Sequence, residues 1–373
     1  MSDLALVTGG AGFIGSHLVE ALLARGDRVR VLDNLLPQAH PTGAARFLAR
    51  DAELMVSDLR DRAAVDRALE GVSIVYHLGG IVGNGQSMVE VREYSDANVV
   101  GTATLLEAML ARRASLRRVV VSSSMVVYGD GAYVCDAHGA ISFAKRPGAR
   151  LSQGLWEPVC PQCGAEVEPT ATLEDQPLRP NSVYGINKRD QEELSLVLGR
   201  AYGLPTIALR YMNVYGSRQA LSNPYTGVAA IMATRLLHGK APTVFEDGQQ
   251  RRALLHVSDA VRANVAAADA SDAALYLPFN VGPTRWLTVL DLAAKLARAL
   301  GRDIAPIVTG EHRDGDIRHC FADVTRAKEL LGFEASVTID EGIGELAAWA
   351  SGESPEDRTE AANDELRARG ILR

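Results

Sequence analysis

Short runs of Val, Ile and Leu alternate with longer amphipathic stretches through the first third of the chain. LALVTG, RVRVLD, ELMVSD, SIVYHLG and RRVVVSSS are the apolar runs. Between them lie patterns such as IGSHLVEALLARG, in which apolar residues recur at helical spacing. A strand buried on both faces reads as an unbroken apolar run, and a helix returning over the sheet carries one apolar stripe. The alternation therefore predicts an α/β fold, a doubly wound parallel sheet of Rossmann type.

Residues 130–172 interrupt this rhythm with Gly, Pro and three of the four cysteines, and neither a helical nor a strand period persists there. They are expected to form an insertion. The helical YGINKRDQEELSLVLGRAYG and the strand-like TIALRYMNVYG then resume the sheet, and VAAIMATRLLHG and LTVLDLAAKLARALG suggest a smaller C-terminal lobe. The expected division is 1–129 with 173–215, an insertion at 130–172, a lobe at 216–350, and a charged tail from 351, either a surface helix or loose.

Composition narrows the function. A net charge of −7 over 373 residues argues against a general nucleic-acid binder, whose affinity comes from Lys and Arg on phosphates. No apolar run approaches the roughly 20 residues that span a bilayer, and the opening MSDLALVTGG lacks the pattern of a secretion signal, so a cytoplasmic location away from membranes is expected.

Directly after the first apolar run comes Thr8-Gly9-Gly10-Ala11-Gly12-Phe13-Ile14-Gly15, with a helical pattern following at once. Glycines there allow a tight turn and let backbone N–H groups at the helix's positive end meet a pyrophosphate. Glycine-rich turns are also common without a ligand. Asp33, ending the second run, supplies the carboxylate expected for ribose hydroxyls and favours NAD over NADP, because it would repel a 2′-phosphate. Asp58 is either a second group near the adenine or the N-cap of the following helix.

Tyr184 and Lys188 stand four apart on a helical stretch, so they share one face. An ammonium beside a phenol lowers its pKa and makes it a usable base near neutral pH, although such pairs also occur on plain helix surfaces. Ser122, Ser123 and Ser124 end the fifth run at the sheet's carboxyl edge, where ligands of open α/β folds bind, or merely finish the strand.

With TGGAGFIGSHL, LDNL, SDLRD, HLGGIVGNGQS, NVVGT, SSSMVVYG, YGINK and LRYMNVYG, the chain resembles the extended short-chain dehydrogenases/reductases and, within them, nucleotide-sugar epimerases. That resemblance implies Ser124, Tyr184 and Lys188 as the catalytic three. It places Gly9, Gly12, Phe13, Ile14, Gly15, Asp33, Asn34, Asp58, Leu59, Leu78, Gly79, Gly80, Asn98 and Ser122 around NAD. It assigns Asn213, Phe245, Arg252, Arg313 and Asp316 to a nucleotide-diphosphate sugar, and it implies a homodimer.

Two departures stand out. The family commonly has Asp after the arginine at 252, where this chain has Ala253, so the support of Arg252 is in question. Dehydratases and decarboxylases of the family carry acidic residues just after the active Ser or Thr. Here Met125 and Val126 follow, which favours epimerisation, most simply at C4.

Cys135-Asp-Ala-His138 and Cys160-Pro-Gln-Cys163 are two pairs of equal spacing, each followed by glycine. Such knuckles are the pattern of a tetrahedral structural zinc site, with free thiols or a redox pair as the alternatives. The insertion resembles one in dTDP-L-rhamnose 4-epimerases, which ranks that substrate first.

Overall fold

The computed structural model describes residues 3–141 and 143–373. Its centre is a seven-stranded parallel sheet of β1 (Leu4–Thr8), β2 (Arg28–Asp33), β3 (Glu53–Val56), β4 (Ile74–His77), β5 (Arg118–Ser124), β6 (Thr206–Tyr211) and β7 (Pro278–Val281). The order is β7-β6-β5-β4-β1-β2-β3. The helices used below are α1 (Phe13–Ala24), α2 (Arg62–Ala68), α3 (Gly101–Ala111), α4 (Val183–Tyr202), α5 (Val228–Leu237), α6 (Val257–Asp269), α7 (Val289–Ala299), α8 (Ile339–Ser351) and α9 (Thr359–Ala368).

Successive residues of β1 point to opposite faces, and both faces are dry. Ala5 and Val7 pack with Leu18, Val19 and Leu22 of α1 and with Ala260, Ala263 and Ala267 of α6. Leu4 and Leu6 pack with Val65 and Ala68 of α2 and with Leu105, Leu106 and Met109 of α3. This is why the runs are continuously apolar rather than alternating. Strand order reverses between β1 and β4, so a crevice opens beyond their carboxyl ends.

The C-terminal lobe has its own core, in which Met232 and Leu236 of α5, Leu292 and Leu296 of α7, and Ile343 and Leu346 of α8 meet Tyr215 and Leu254. Both α7 and α8 begin with full capping boxes, Thr288 with Asp291 and Thr338 with Glu341. Among the described residues, no helix is long and apolar enough to cross a membrane.

One expectation needs correction, and one pair of alternatives is decided. The insertion does contain strands: Ala132–Cys135 pairs antiparallel with Gly139–Ile141 and with Glu168–Thr170, around a small core of Tyr133, Cys135, Ile141, Ala144, Cys160 and Val167. Strands of three or four residues are too short for a period of two to register. The charged tail is not loose, because α9 buries Thr359, Ala362 and Leu366. Beyond it the backbone pairs back onto the lobe, with Asp314 N–H donating to Ile371 O at 2.9 Å and Arg373 N–H to His312 O at 2.9 Å.

Candidate active site

Above the carboxyl ends of the strands lies a cavity of about 980 Å³. The residues anticipated for cofactor, catalysis and substrate all line it, except Asn98.

At one end, the turn after β1 is packed to contact. A Cβ on Gly15 would sit 2.2 Å from Gly9 O, and one on Gly9, whose φ is +67°, would sit 2.9 Å from Gly79 Cα. Only glycine lets these two loops approach so closely. Gly12 precedes α1 without a side-chain cap, leaving the first-turn N–H groups free for an anion.

Asp33 is buried at the end of β2, where Oδ2 accepts from Ala11 N–H at 3.0 Å and Oδ1 from Leu35 N–H at 2.9 Å. Its carboxylate is thereby aimed from β2 to the glycine turn. Asp58 accepts from Arg60 and, at 3.0 Å, from Asn34 Nδ2, and the Arg60 guanidinium holds its carboxyl down at about 2. It is not the helix cap: that is Asp61, whose Oδ1 accepts from Ala64 N–H at 3.1 Å.

Asn98 acts from behind. Its Oδ1 accepts from Ile81 N–H at 2.8 Å and its Nδ2 donates to Ile81 O at 3.1 Å, so it braces the loop that carries Gly79 and Gly80. No cavity surface belongs to it.

Ser124 ends β5, and Tyr184 and Lys188 lie on the first turns of α4, which Ser182 caps by accepting from Gly185 N–H at 3.0 Å. Burial pushes the Tyr184 phenol above its ordinary value and Lys188 down to about 8, the latter opposed by Glu192. The expected lowering of the phenol is therefore not expressed. Lys188 Nζ instead donates to Ser122 O at 2.7 Å and Gln191 Oε1 at 2.9 Å.

Those contacts belong to a buried network absent from the sequence reading. Gln191 Nε2 donates to Thr102 Oγ1 at 2.7 Å, and Thr102 Oγ1 donates to Asn98 O at 2.6 Å. His77 sits between Thr8 Oγ1 and Thr102 Oγ1, each 2.8 Å from a ring nitrogen. Thr102 Oγ1 uses its one hydrogen on Asn98 O and so accepts from His77 Nε2–H, which assigns the ring proton to Nε2 and leaves Nδ1 to accept from Thr8 Oγ1. A polar Gln191 one turn beyond Lys188 was the available signal.

At the far end, Arg313 stacks its guanidinium over Phe245, 4.9 Å from the ring centre, and donates from Nε to Asp316 Oδ2 at 2.9 Å. The missing carboxylate beside Arg252 is replaced by main-chain oxygens. Arg252 donates to the carbonyls of Arg251 and Arg318, both at 2.9 Å, and to that of Ile317. Asn213 also lines this region with a buried, unpartnered Oδ1. Sequence reasoning missed the tail's part in the cavity: Glu356, Thr359 and Asn363 are among its lining residues.

In the insertion, the ligand atoms of Cys135, His138, Cys160 and Cys163 lie within 4.8 Å of one another. Cys135 Sγ is 3.6 Å from His138 Nδ1 and 3.8 Å from Cys163 Sγ, and Cys160 Sγ is 3.6 Å from His138 Nδ1. A tetrahedron with metal–sulfur bonds of about 2.3 Å has edges of roughly 3.8 Å, so the donor set fits a four-coordinate metal ion. A sulfur separation of 3.8 Å is far from the roughly 2.05 Å of a disulfide.

The sequence pattern of the NAD dependent epimerase/dehydratase family matches residues 5–146 and 159–282, and the gap between the two falls in the insertion. A dTDP-L-rhamnose 4-epimerase from Burkholderia thailandensis is 36% identical over 353 residues, covering 93% of this chain and 95% of that protein. A UDP-glucose 4-epimerase from Mycolicibacterium smegmatis is 32% identical over 92% of this chain and 97% of its own. Among solved structures, UDP-glucose 4-epimerase from Thermotoga maritima with UDP-glucose superposes with a TM-score of 0.76 at 30% identity, covering 93% of this chain and 98% of its own. The Thermus thermophilus UDP-glucose 4-epimerase in complex with NAD gives 0.75 at 28% identity, over 94% and 100%. With the family pattern spanning most of its length and the glycine turn, Asp33 and Tyr184 gathered in one crevice, this chain belongs to the NAD dependent epimerase/dehydratase family.

Proposed function

We propose that this enzyme is an NAD-dependent nucleotide-sugar 4-epimerase, with dTDP-L-rhamnose and its C4 epimer dTDP-6-deoxy-L-talose as the substrate pair. The observation that carries the reading is the order of groups along one cavity. Asp33 ends β2 and the glycine turn follows β1, Ser124 ends β5 two strands along the sheet with Tyr184 and Lys188 on α4, and Arg252 and Arg313 come from the C-terminal lobe, all lining the one cavity. A dinucleotide and a sugar diphosphate laid end to end need that order, with the diphosphate held by guanidinium forks.

Bound NAD supplies the acceptor of a hydride from C4 and, on the return, its donor. Tyr184 takes the proton of the C4 hydroxyl, and Ser124 Oγ hydrogen-bonds the same oxygen. Lys188 supplies positive charge one turn along α4 as the phenol ionises. The 4-keto sugar then turns, its other face is reduced, and Tyr184 returns the proton. Met125 and Val126 line the cavity beside Ser124 and offer no further acid or base, which favours epimerisation over elimination or decarboxylation.

The rhamnose assignment is supported by the Burkholderia relative, and UDP-hexose and UDP-hexuronate 4-epimerases are the next candidates. The metal is proposed to be structural zinc, because four protein ligands leave no open position. Two copies are proposed to pair through the helices that carry exposed Val100, Ile186 and Val197, which light scattering tests directly.

Incubating the enzyme with dTDP-L-rhamnose, UDP-glucose and UDP-glucuronate in turn, without added reductant, and following each by NMR tests the reaction. A C4 epimer of dTDP-L-rhamnose is expected. An epimer from a UDP-sugar instead overturns the substrate, and no epimer from any of the three overturns the reading in favour of reduction or a non-catalytic NAD sensor.

A further inference from the structure

A metal on the four-residue cluster would account for how the insertion folds but not for what its loop contributes. Between His138 and Cys160 the chain runs out and back, and no described residue of that loop lines the cavity. Its polar contacts lie behind the wall at the end that holds Phe245, Arg252 and Arg313.

Arg146 Nη2 donates to Glu246 Oε1 at 2.5 Å, and its Nη1 donates to the Asp316 carbonyl at 3.3 Å. Glu157 Oε1 accepts from Arg318 Nη2 at 2.5 Å and from its Nε at 3.0 Å, and Glu157 Oε2 pairs with His319 Nε2 at 2.8 Å. Trp156 packs its ring against His312, centres 6.0 Å apart. Arg318 is wholly buried and donates onward to Glu246 Oε2 at 2.9 Å and to Asp247 Oδ1 at 2.6 Å.

This buried lattice ends on the groups that face the cavity. Glu246 directly follows Phe245 and has φ of +55°, a conformation that a residue with a Cβ keeps only where its surroundings over-determine it. The two arginines on its carboxylate, one from the insertion and one from the lobe, do that. The Arg318 carbonyl is in turn one of the three oxygens that orient Arg252, and Asp316, whose carbonyl Arg146 holds, pairs with Arg313. Two of the three cavity-facing groups are therefore fixed through residues that the inserted loop grips, and the third follows from its neighbour Glu246.

We propose that the inserted loop is a positioning element for the nucleoside-diphosphate end of the cleft, with Arg146 and Glu157 as the residues that hold Phe245, Arg252 and Arg313 in place. The inference rests on the nucleotide-sugar reading above. Neither residue touches the reacting carbon. Their loss acts on ground-state binding and leaves the chemical step alone.

The test uses the full-length, NAD- and metal-loaded protein and titrates dTDP and UDP calorimetrically into wild type, Arg146→Met, Glu157→Gln and Arg150→Ala. Arg150 belongs to the same loop, and among the described residues its side chain bonds only Glu166, so its loss reports on the loop's fold and not on the wall. Expected are dissociation constants, and KM for the sugar substrate, raised roughly tenfold in Arg146→Met and Glu157→Gln, with kcat within about twofold. NAD and metal content stay at the wild-type level, and Arg150→Ala behaves as wild type. Unchanged nucleotide affinity in both wall variants overturns the proposal, as does an equal loss in Arg150→Ala. A wild-type protein that binds neither dTDP nor UDP removes the nucleotide-sugar reading itself, a result visible before any variant is made.

Discussion

The glycine turn offers a quantitative test, because its glycines are required for different reasons. A methyl on Gly15 would meet Gly9 O at 2.2 Å and Gly10 Cα at 2.6 Å. An ordinary C···O contact is about 3.3 Å, so Gly15→Ala forces the turn open by roughly 1 Å even with no ligand bound. Overpacking of this kind costs about 1–3 kcal/mol. With unfolding entropy near 2.1 cal/mol/K per residue over 373 residues, each kcal/mol moves Tm by roughly 1.3 °C. The NAD-free variant should therefore melt roughly 1–4 °C below wild type. A turn displaced by about that 1 Å also loses one or two charge-assisted N–H bonds to the pyrophosphate, about 3 kcal/mol in all, or roughly 100-fold in NAD affinity. Gly12→Ala is the contrast. Its methyl would meet only Gly9 O, at 3.3 Å, and its φ of −76° suits any residue. It should leave the NAD-free Tm unchanged and weaken NAD only by standing where the pyrophosphate approaches. Melting curves of stripped protein and NAD titration by fluorescence separate the two. An equal fall in Tm for both variants, or a wild-type Tm for Gly15→Ala, would refute the steric argument.

Tyr184→Phe should keep NAD bound and lose turnover by about 10²–10⁴-fold, read by NMR of the sugar product. Glu192→Gln removes half of a buried bidentate pair with Arg210, both side chains under 5% exposed, and should cost about 3–5 kcal/mol, or roughly 4–6 °C in Tm. Burial drives His77 down to about 3, so the folded protein refuses a proton that the unfolded chain accepts below about 6.5. Its contribution is complete above that pH and is lost by roughly 1.4 kcal/mol per unit as pH falls towards 3, and His77→Gln should show a flatter fall of Tm between pH 7 and pH 5 than wild type. Cys163→Ser should abolish the bound metal measured by elemental analysis, and a variant that retains a full equivalent would exclude Cys163 as a ligand.

The sheet was legible because its strands are buried on both faces: helices packed on each side keep LALVT and RVVVS dry, so these runs are unbroken and alternate with helical stretches. The site was legible for a related reason: a topological switch point gathers the ends of consecutive strands, so residues such as Asp33 and Ser124, far apart in the chain, share a crevice once the order is known. That Cys135, His138, Cys160 and Cys163 come together was legible from their spacing alone. What escaped was held by partners remote in sequence. Arg252 is oriented by carbonyls at 317 and 318, and a carbonyl carries no sequence mark. The buried stripe Thr359, Ala362 and Leu366 was present in the tail, but three small or isolated apolar residues among charges do not distinguish a docked helix from a solvated one.

The pKa pattern at Tyr184 carries this further. A Tyr and a Lys four apart imply, from charge alone, a phenol that ionises easily. The folded surroundings answer otherwise: burial raises the phenol, and Lys188 spends its donors on Ser122 and Gln191. Both effects come from enclosure, and they act in opposite senses on the two groups, since burial penalises phenolate and ammonium alike. A phenol raised and an ammonium lowered make a poor base at rest. In the proposed reaction Lys188 would favour the phenolate, and oxidised NAD bound in the same cavity would add positive charge in the same sense, so the base would be strengthened by what the cavity holds rather than by the Tyr-Lys spacing alone.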